Sequence, residues 1–512
     1  MKKFKIPYQE TKRFNQLVLD YLHHNDRLSG LISDFPNIEN FKSQIERKSK
    51  DDIDRVLLYD VLKNQNSKLV LSDLSLSNLE MITDDKTFTI STGHQLCLFT
   101  GPLYFIYKII STVNLVNKLK AKYIQYNFVP IFWLASEDHD FDEINSINLF
   151  NNKISWKHSQ KGPVGRMKLN GFDNVISQLE DLISKDKKSK ELLDLFRKSY
   201  LENNNLADAT RYLVNHLFGE YGVLIIDGDD KRLKDKIINV IDEDINNNSF
   251  HKIINSTNKK LLKDYHVQAH VRPINFFKIS NEGRVRITNK IKKEKIINKP
   301  DIFSPNVLLR PLYQEMILPN LAYIGGGSEI AYWLQTFDVF KTLSLTFPIL
   351  VMRNSVLILD AKQSRTIESL NLSINDFFND IDSITKKFVK NTDDNVDLKK
   401  EIMNIQELFI SIEHKLNDEN LLSSLKALNK KTSNALNDFE KRIIKNLKST
   451  RENEILKIKK IKDVLFPGNQ LQERHNNFIS MYLNYGDNFI KNLVSTLDPL
   501  DPNFVILELE SL

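Results

Sequence analysis

The chain has 512 residues, of which 41% are hydrophobic and 27% charged, so its length and composition are those of a globular protein with several domains. A net charge of +6 is too small for the broad positive field that captures nucleic acid, and no apolar stretch is long enough to span a membrane. The single cysteine, Cys97, excludes intrachain disulfides and thiolate clusters. The basic start is not followed by an apolar signal region, which predicts a cytoplasmic protein.

The first two regions of the chain are predicted to be a helical segment and an α/β core. Residues 1–85 have a helical pattern, and residues 86–355 alternate short apolar runs with helical ones. An insertion is expected near 150–220. Strands are predicted at 87–91, 128–135, 223–227 and 348–352. Short apolar strands separated by helices favour a parallel sheet covered on both faces.

The third region, 356–466, is predicted to be an α-helical coiled-coil arm. The 118 residues between Pro348 and Pro467 contain neither proline nor glycine, and apolar residues recur in a heptad pattern over 398–416. A polar turn at 417–420 separates this run from a second one, so two antiparallel helices are expected, the second about 65 to 70 Å long. Such an arm would bury its apolar seam in a homodimer, although a bundle folded onto the core is an alternative. The last region, 467–512, is expected to return to the core, with a strand at 503–509.

The loop after the first predicted strand is the first candidate site. Ligands of parallel sheets bind at the carboxyl ends of the strands, and a glycine loop followed by a helix can bind an anion. Thr100 and Pro102 predict that this helix begins near Gly101 and runs to about Lys120. The alternative is that the glycines only turn the chain. The candidate residues are Thr92, Gly93, His94, Gln95, Thr100, Gly101, Tyr104 and Lys108.

The loop after the second predicted strand is strongly acidic. Five carboxylates and an imidazole lie within seven residues, and such crowding is costly unless a cation, an amine or a ligand balances it. Three interpretations remain open: a zinc site, a grip for a substrate ammonium in which His139 moves a proton, and acidic caps of the next helix. The candidate residues are Ser136, Glu137, Asp138, His139 and Asp140.

A third cluster combines arginines with three consecutive glycines. The glycines precede a predicted helix at 329–340 and could form an anion-binding nest. Either arginine could hold a carboxylate or phosphate, or form a structural ion pair. The candidate residues are Arg310, Gln314, Gly325, Gly326, Gly327, Glu329, Arg353 and Asn354.

Five segments of the chain resemble the cysteine-adding ligases of bacillithiol biosynthesis. They are STGHQLCLFTGPLYFIYKI (91–109), PIFWLASEDHDFDEIN (130–145), SPNVLLRPLYQEMILPNLAYIGGGSEIAYWLQ (304–335), PILVMRNS (348–355) and LFPGNQLQER (465–474). The matches occur in order across some 380 residues, whereas the first eighty residues and the arm match only in character. The resemblance implies a Rossmann-like core of the nucleotidyltransferase type with connecting insertions and a dimerising coiled coil.

The resemblance also implies a reaction, in which the carboxyl of L-cysteine is joined to the amine of glucosaminyl malate to form bacillithiol. ATP, with Mg²⁺, is the expected cosubstrate, by adenylyl or phosphoryl transfer. No resident metal, nucleic acid or membrane is expected. The residues implied to be catalytic are His94, Glu137, Asp138 and His139, and the other candidates would bind substrate or nucleotide. Two alternatives are another nucleotidyltransferase-like or acyl-adenylate-forming enzyme, and a coiled-coil scaffold with an idle site.

Overall fold

The computed structural model describes residues 1–150, 152–280, 283–392 and 398–510. Thirteen strands lie within these residues. They are β1 (Lys2–Pro7), β2 (Thr87–His94), β3 (Asn127–Leu134), β4 (Ser146–Leu149), β5 (Asn152–Ser155), β6 (Leu224–Asp227), β7 (Phe276–Ser280), β8 (Gly283–Arg286), β9 (Phe303–Pro305), β10 (Asn320–Gly325), β11 (Ile349–Met352), β12 (Val356–Asp360) and β13 (Asn503–Leu509).

Helices account for most of the remaining ordered structure. Those before residue 355 are α1 (Tyr8–Thr11), α2 (Gln16–Leu22), α3 (Asn40–Lys48), α4 (Arg55–Gln65), α5 (Asp73–Met81), α6 (Tyr104–Lys122), α7 (Phe141–Ile144), α8 (Phe172–Glu180), α9 (Lys187–Leu201), α10 (Leu206–Phe218), α11 (Lys231–Lys234), α12 (Ile238–Asp242), α13 (Ser249–Leu261), α14 (Lys293–Asn298), α15 (Arg310–Ile317), α16 (Gly327–Gln335) and α17 (Phe337–Thr342). Those after it are α18 (Ala361–Ser369), α19 (Ile381–Lys390), α20 (Lys399–Glu413), α21 (Glu419–Thr450), α22 (Glu452–Leu465), α23 (Gln472–His475), α24 (Phe478–Tyr485) and α25 (Asn488–Thr496).

The central sheet has five parallel strands in the order β11-β10-β2-β3-β6. The predicted α/β class with a parallel sheet is therefore confirmed. Along β3, Ile131 and Trp133 pack into one hydrophobic core, while Phe132 and Leu134 pack into the core on the opposite face. Alternate side chains of a strand point to opposite faces, so a strand buried on both sides has to be apolar throughout.

The order of these strands defines where a ligand can bind. In sequence order, the sheet runs outward from β2 in two directions, through β3 and β6 on one side and through β10 and β11 on the other. This is the doubly wound arrangement, and its crevice lies where the order reverses, at the carboxyl ends of β2 and β10. His94 ends β2 and Gly325 ends β10. Two of the three predicted candidate clusters therefore meet at the switch point.

A second sheet, in the order β1-β13-β12, places strands in two regions that were predicted to be helical. Residues 1–85, predicted to be helical, begin with β1, and residues 356–466, predicted to be a helical arm, begin with β12. β1 pairs antiparallel with β13, which pairs parallel with β12. These strands form through partners that are distant in sequence, and local patterns do not report such pairing.

The helix after β2 begins later than predicted. Phe99 and Thr100 both have positive φ, of 49° and 71°, so Thr100 cannot act as the N-cap. Gly101 follows at φ 64°, and a Cβ at this position would lie 2.5 Å from Cys97 Cβ. The chain therefore makes a tight, irregular turn over 98–101, and α6 starts at Tyr104.

The arm is a hairpin of α20 and α21, continued by α22. The turn between α20 and α21 ends at Asp418, whose carboxylate accepts hydrogen bonds from the backbone N–H groups of Asn420 and Leu421. The coiled-coil prediction is confirmed, but the second helix is not continuous: α21 ends at Thr450, and Arg451, at φ −107° and ψ 30°, separates it from α22. At 32 residues, α21 is about 48 Å long, shorter than expected. None of the described helices is long and apolar enough to cross a bilayer.

Candidate active site

A cavity of about 630 Å³ opens at the switch point of the central sheet. Its walls come from the ends of β2, β3 and β10, from β8 and the segment after β9, and from Arg474 in the C-terminal segment. The volume is in the range of small-molecule sites. The cavity brings together most of the predicted site residues: Gly93, His94, Gln95, Tyr104, Lys108, Glu137, Asp138, Arg310, Gly326, Gly327, Glu329 and Arg353.

At the end of β2, charged side chains pair with one another within the chain. Lys108 Nζ donates to the Gly93 carbonyl at 2.6 Å and lies 2.6 Å from Glu329 Oε2. Tyr323 Oη donates to Glu329 Oε1 at 2.6 Å. Lys108, predicted to bind substrate or nucleotide, is thus already paired, and it supports the cavity wall.

His94 lies on this wall as a neutral imidazole. Burial, with the nearby positive charge of Lys108, lowers the pKa of His94 to about 3. Its ring packs against Tyr104 and Phe105, with centroids 5.2 and 5.4 Å away. A neutral imidazole can donate one hydrogen bond and accept another, but it offers no positive charge to a phosphate at neutral pH.

The acidic loop after β3 is held by the side chains around it. Gln95 Nε2 donates to both Asp138 Oδ2 and Glu143 Oε2, each at 2.8 Å. Burial opposes ionisation of Asp138, but the hydrogen bonds from Gln95 and from the His139 backbone N–H bring its pKa below the usual value. Glu137 forms a short ion pair with the buried Lys234. The crowding recognised in the sequence is therefore relieved in part by the protein itself.

Two arginines of the cavity differ in their partners. Arg353 Nη2 lies 2.7 Å from Glu473 Oε1, and both side chains are buried. Arg310 Nη1 donates to Gln314 Oε1 at 2.9 Å, and its guanidinium lies over the ring of Tyr323. Among the residues that the structure describes, Arg310 Nη2 has no hydrogen-bond partner. Arg353 is thus a structural ion pair, while Arg310 keeps donor capacity for an anion.

The motif at 465–474 explains how the C-terminal segment reaches the site. Gln472 exchanges hydrogen bonds with the backbone of Ile358 in β12, at 2.9 and 3.1 Å. Glu473 accepts from Arg353 and from the Val356 backbone N–H. The next residue, Arg474, is exposed and lines the cavity. Two side chains fasten this motif to β12, and the third contributes charge to the site.

The three glycines do not form the predicted nest. None of them has a positive φ, which an alternating nest requires, and the Gly326 N–H already donates to Glu329 Oε2 at 2.8 Å. Close packing explains one of them better, because a Cβ on Gly327 would lie 2.5 Å from Val18 Cγ2 in α2. The following helix also differs from the prediction: α16 begins at Gly327, and a break at Thr336 separates it from α17.

Several predicted site residues lie outside the cavity and are buried in structural roles. Thr92 Oγ1 donates to the Ile324 carbonyl, and Ser136 Oγ donates to Asp227. Gln314 bridges Arg310 to Ser91, and Asn354 donates to the Asp498 carbonyl. The residues of this group are Thr92, Thr100, Gly101, Ser136, Gln314, Gly325 and Asn354.

His139 and Asp140 also lie outside the cavity wall, but on the surface. His139 is exposed, and its Nδ1 is 3.5 Å from Arg284 Nη1 and 3.5 Å from Asp138 Oδ1. The Asp140 side chain is exposed as well. The cavity therefore brings together Glu137 and Asp138 but not these two neighbours.

Several residues that shape the site were not predicted from the sequence. Arg284 in β8 and Tyr332 in α16 line the cavity, as do Asn306 and Arg474, while Lys234 holds Glu137 from outside it. Arg474 lay in a recognised motif and could have been singled out by its charge. Asn306 and Tyr332 also lay in a recognised segment, 304–335, whereas Arg284 and Lys234 lie in ordinary charged stretches, and only the tertiary fold brings these two to the strand ends.

Among the described residues, no group of three or more histidine, cysteine, aspartate or glutamate side chains is arranged to hold a metal ion. The zinc interpretation of the acidic loop therefore has no support in the geometry. Mg²⁺ is usually bound through one or two carboxylates together with substrate phosphates, so it would arrive with a nucleotide.

The doubly wound sheet and its switch-point cavity define a Rossmann-like enzyme with a coiled-coil arm. Two family models match the chain: the N-terminal Rossmann-like domain of the bacillithiol biosynthesis protein BshC over residues 1–354, and the C-terminal coiled-coil domain of BshC over residues 356–509. Together they cover nearly the whole chain. The chain therefore belongs to the BshC family, as the resemblance indicated.

Curated relatives agree with this assignment. The proteins named "Putative cysteine ligase BshC" from Flavobacterium psychrophilum and Flavobacterium johnsoniae are each 40% identical to this chain, covering 98% of it and 99% of their own length. The protein of the same name from Cytophaga hutchinsonii is 33% identical over 97% of both chains. A solved structure of tyrosyl-tRNA synthetase from Archaeoglobus fulgidus aligns with a TM-score of 0.23 and 10% identity over 79% of this chain and 99% of that one. The protein is an enzyme of the ligase class.

Proposed function

We propose that the chain joins the carboxyl of L-cysteine to the amine of glucosaminyl malate, with ATP activating the carboxylate. The observation that carries this proposal is the opposition of charges around one cavity. Arg310 has a guanidinium nitrogen without a partner, whereas Glu137, Asp138 and Glu143 supply carboxylates. Glucosaminyl malate carries carboxylates on its malate and an ammonium on its sugar, so it complements both kinds of wall.

The acidic residues suit the amine chemistry of the reaction. An ammonium cannot attack a carbonyl carbon, so the acceptor must lose a proton before or during bond formation. Glu137 and Asp138 can bind the ammonium and take up that proton. The amine nitrogen then attacks the activated acyl carbon of cysteine, the amide bond forms, and the phosphate or AMP group departs with the carboxylate oxygen.

ATP is proposed as the activating cosubstrate because a free carboxylate is a poor acyl donor. One of its oxygens would attack a phosphorus atom of ATP, releasing either ADP or pyrophosphate. The guanidinium groups of Arg284 and Arg474 line the same cavity and can attract the phosphates, whose Mg²⁺ would come with them. The neutral His94 can donate a hydrogen bond to an oxygen of the phosphate or of the cysteine carboxylate without repelling the nearby Lys108 and Arg353.

We also propose that the arm makes the enzyme a homodimer. None of the residues of α20, all of which the structure describes, is fully buried, and the seam residues Ile402, Ile405 and Phe409 are only half-buried against α21. Leu408 and Phe439 are 58% and 54% exposed. A second copy of the arm would cover these side chains by the same heptad packing.

The decisive experiment incubates the purified protein with glucosaminyl malate, cysteine and ATP and follows the products by mass spectrometry. We expect the cysteinyl amide to form only when all three are present, and serine to replace cysteine poorly. Formation of ADP would indicate phosphoryl activation, and formation of AMP adenylyl activation. Absence of the amide together with unconsumed ATP would refute the proposal.

A further inference from the structure

A buried lysine outside the cavity contacts a carboxylate inside it. Lys234, at the end of α11, has a side chain that is 0% exposed, and its ammonium forms a short hydrogen bond to Glu137 Oε1. It also donates to the Phe303 carbonyl at 2.7 Å. Glu137 itself lines the cavity. The pair thus joins the loop after β3 to the segment after β6 and to β9.

The charge of Lys234 is directed mainly to Glu137. The other nearby acid is Asp229, whose Oδ1 lies 3.9 Å from Lys234 Nζ. Asp229 is already held by Arg166, through two hydrogen bonds of 2.6 Å each. A carboxylate with its own bidentate arginine has little need of a second cation, so the ammonium of Lys234 is left to balance Glu137.

Glu137 keeps one oxygen free for a ligand. Its Oε1 is bound by Lys234, and within the described parts of the chain its Oε2 has no hydrogen-bond partner. A carboxylate fixed through one oxygen cannot rotate freely, so the second oxygen is presented in a defined direction. A buried ion pair is a poor source of stability compared with apolar packing, which leaves orientation of Glu137 as the better explanation for this one.

We propose that Lys234 is a positioning residue that pairs with the Glu137 carboxylate and orients it to receive the substrate ammonium and its proton. This inference rests on the proposed function and deepens it by assigning the proton-accepting oxygen to Glu137 Oε2. Other charged or titratable groups also act on Glu137, so its behaviour has to be measured by difference. They are Arg284, Arg166, Asp138, Asp229 and Tyr313.

The test compares Lys234→Met with a matched surface control. Without the ammonium, the Glu137 carboxylate loses the contact that fixes its direction. We expect a ten- to hundredfold lower kcat/KM, and partial rescue in Lys234→Arg. Lys236→Met is the control, because Lys236 pairs with Asp54 at 2.6 Å on the surface and should leave kcat/KM unchanged.

A purely structural role for Lys234 gives a different pattern. In that case Lys234→Met would melt earlier but keep the wild-type kcat/KM below its melting temperature, which would overturn the proposal. If Lys234→Met does not fold, the double variant Glu137→Gln with Lys234→Met removes both charges of the pair. It then tests whether Lys234 acts through Glu137. Its kcat/KM should equal that of Glu137→Gln alone, whereas a further tenfold loss would contradict a role exerted through Glu137.

A second measurement separates this inference from the proposed reaction. The carboxyl carbon of Glu137 can be followed by ¹³C NMR in glutamate-labelled protein and assigned by its absence in Glu137→Gln. Its chemical shift should differ between the wild type and Lys234→Met, because the carboxylate loses a charged hydrogen-bond donor. If the wild type forms no amide but this difference is found, the proposed substrates are wrong and the role of Lys234 stands; an unchanged chemical shift overturns that role.

Discussion

The strand-end cavity and the coiled-coil arm differ in whether the chain itself provides partners for their side chains. In the cavity, charged side chains are held by partners from distant segments, as Arg353 is by Glu473 and Glu137 is by Lys234. Along the arm, apolar side chains such as Leu408 and Phe439 remain largely exposed. A single chain therefore pairs these charged side chains of the cavity, but it leaves part of the apolar surface of the arm exposed.

Substitutions in these two regions should therefore change different properties of the protein. Substitutions at the cavity should change either chemistry or stability according to whether the side chain is already paired within the chain. Substitutions on the arm should change association and leave the chemistry in place. The arginines of the site and the exposed face of the arm allow this comparison to be tested.

The largest effect is expected for Glu473→Gln. Loss of this carboxylate leaves the buried guanidinium of Arg353 without its counter-charge, and breaking a buried pair costs about 3 kcal/mol or more of unfolding free energy. Chemical denaturation measures the change. Asp438→Asn is the control, since its pair with Lys441 is exposed and should leave the unfolding free energy almost unchanged. Equal effects of the two substitutions would contradict a structural role for the Arg353 pair.

The second prediction concerns Arg310→Lys. A lysine cannot reproduce the planar guanidinium, so we expect a drop of about a hundredfold in kcat/KM, which corresponds to about 2.7 kcal/mol. The melting temperature should change little, because the described hydrogen bond of Arg310 is to a neutral amide. Arg365→Lys, at an exposed position of α18, should retain wild-type kinetics. Full activity of Arg310→Lys would remove Arg310 from the substrate site.

The third prediction is a pH dependence of stability due to His94. The unfolded state takes up a proton near pH 6.5, whereas folded His94 stays neutral down to about pH 3, so acidification below 6.5 favours the unfolded state. Between pH 7.5 and 5, the unfolding free energy of the wild type should fall by about 1 to 2 kcal/mol relative to His94→Gln.

The difference between the two proteins is the quantity to measure, because other buried groups titrate in the same range. Burial raises the pKa of Asp227 and of Asp244 to about 6, and that of Glu315 to about 7. These groups bind protons more tightly when folded, so they oppose the effect of His94. Parallel pH profiles for wild type and His94→Gln would show that His94 is not held neutral.

The smallest effect on catalysis is expected for the arm. Replacing Leu408 and Phe439 by glutamate puts charge on exposed apolar positions of the arm, so light scattering should show monomers of this variant and dimers of the wild type. Because the cavity draws none of its lining from α20 or α21, kcat/KM should stay within about twofold of wild type. A persistent dimer would place the interface elsewhere, and a large loss of activity would mean that the cavity depends on association.

The sequence predicted the parts of the fold that follow from local patterns. The apolar runs of β2, β3, β6 and β11 correspond to strands of the central sheet, because strands buried on both faces must be continuously apolar. The heptad run predicted a helix, and α20 is that helix. By contrast, β1 begins with charged residues and forms only through pairing with β13, which no local pattern reveals.

The candidate site was predictable in its location but not in the roles of its residues. Strand-end loops rich in glycine, acid and arginine identified the cavity. Arg310 and Arg353 were equivalent as sequence, and the difference between them comes from Glu473, which lies 120 residues beyond Arg353. Lys234 lies in a basic run that is typical of a solvent-exposed helix, and its burial follows only from the packing of α11 against the strand ends.

The pairing of β1 with β13 also determines when the second sheet can form during translation. Lys2 lies opposite Glu508, so β1 has no partner strand until residues 503–509 have left the ribosome. At about 5 to 20 residues per second, that wait is roughly 25 to 100 s. During this interval both β1 and β12 lack the strand that lies between them. Since Arg474 lines the cavity and also leaves the ribosome late, a nascent chain has to be shielded from aggregation before it has a complete active site.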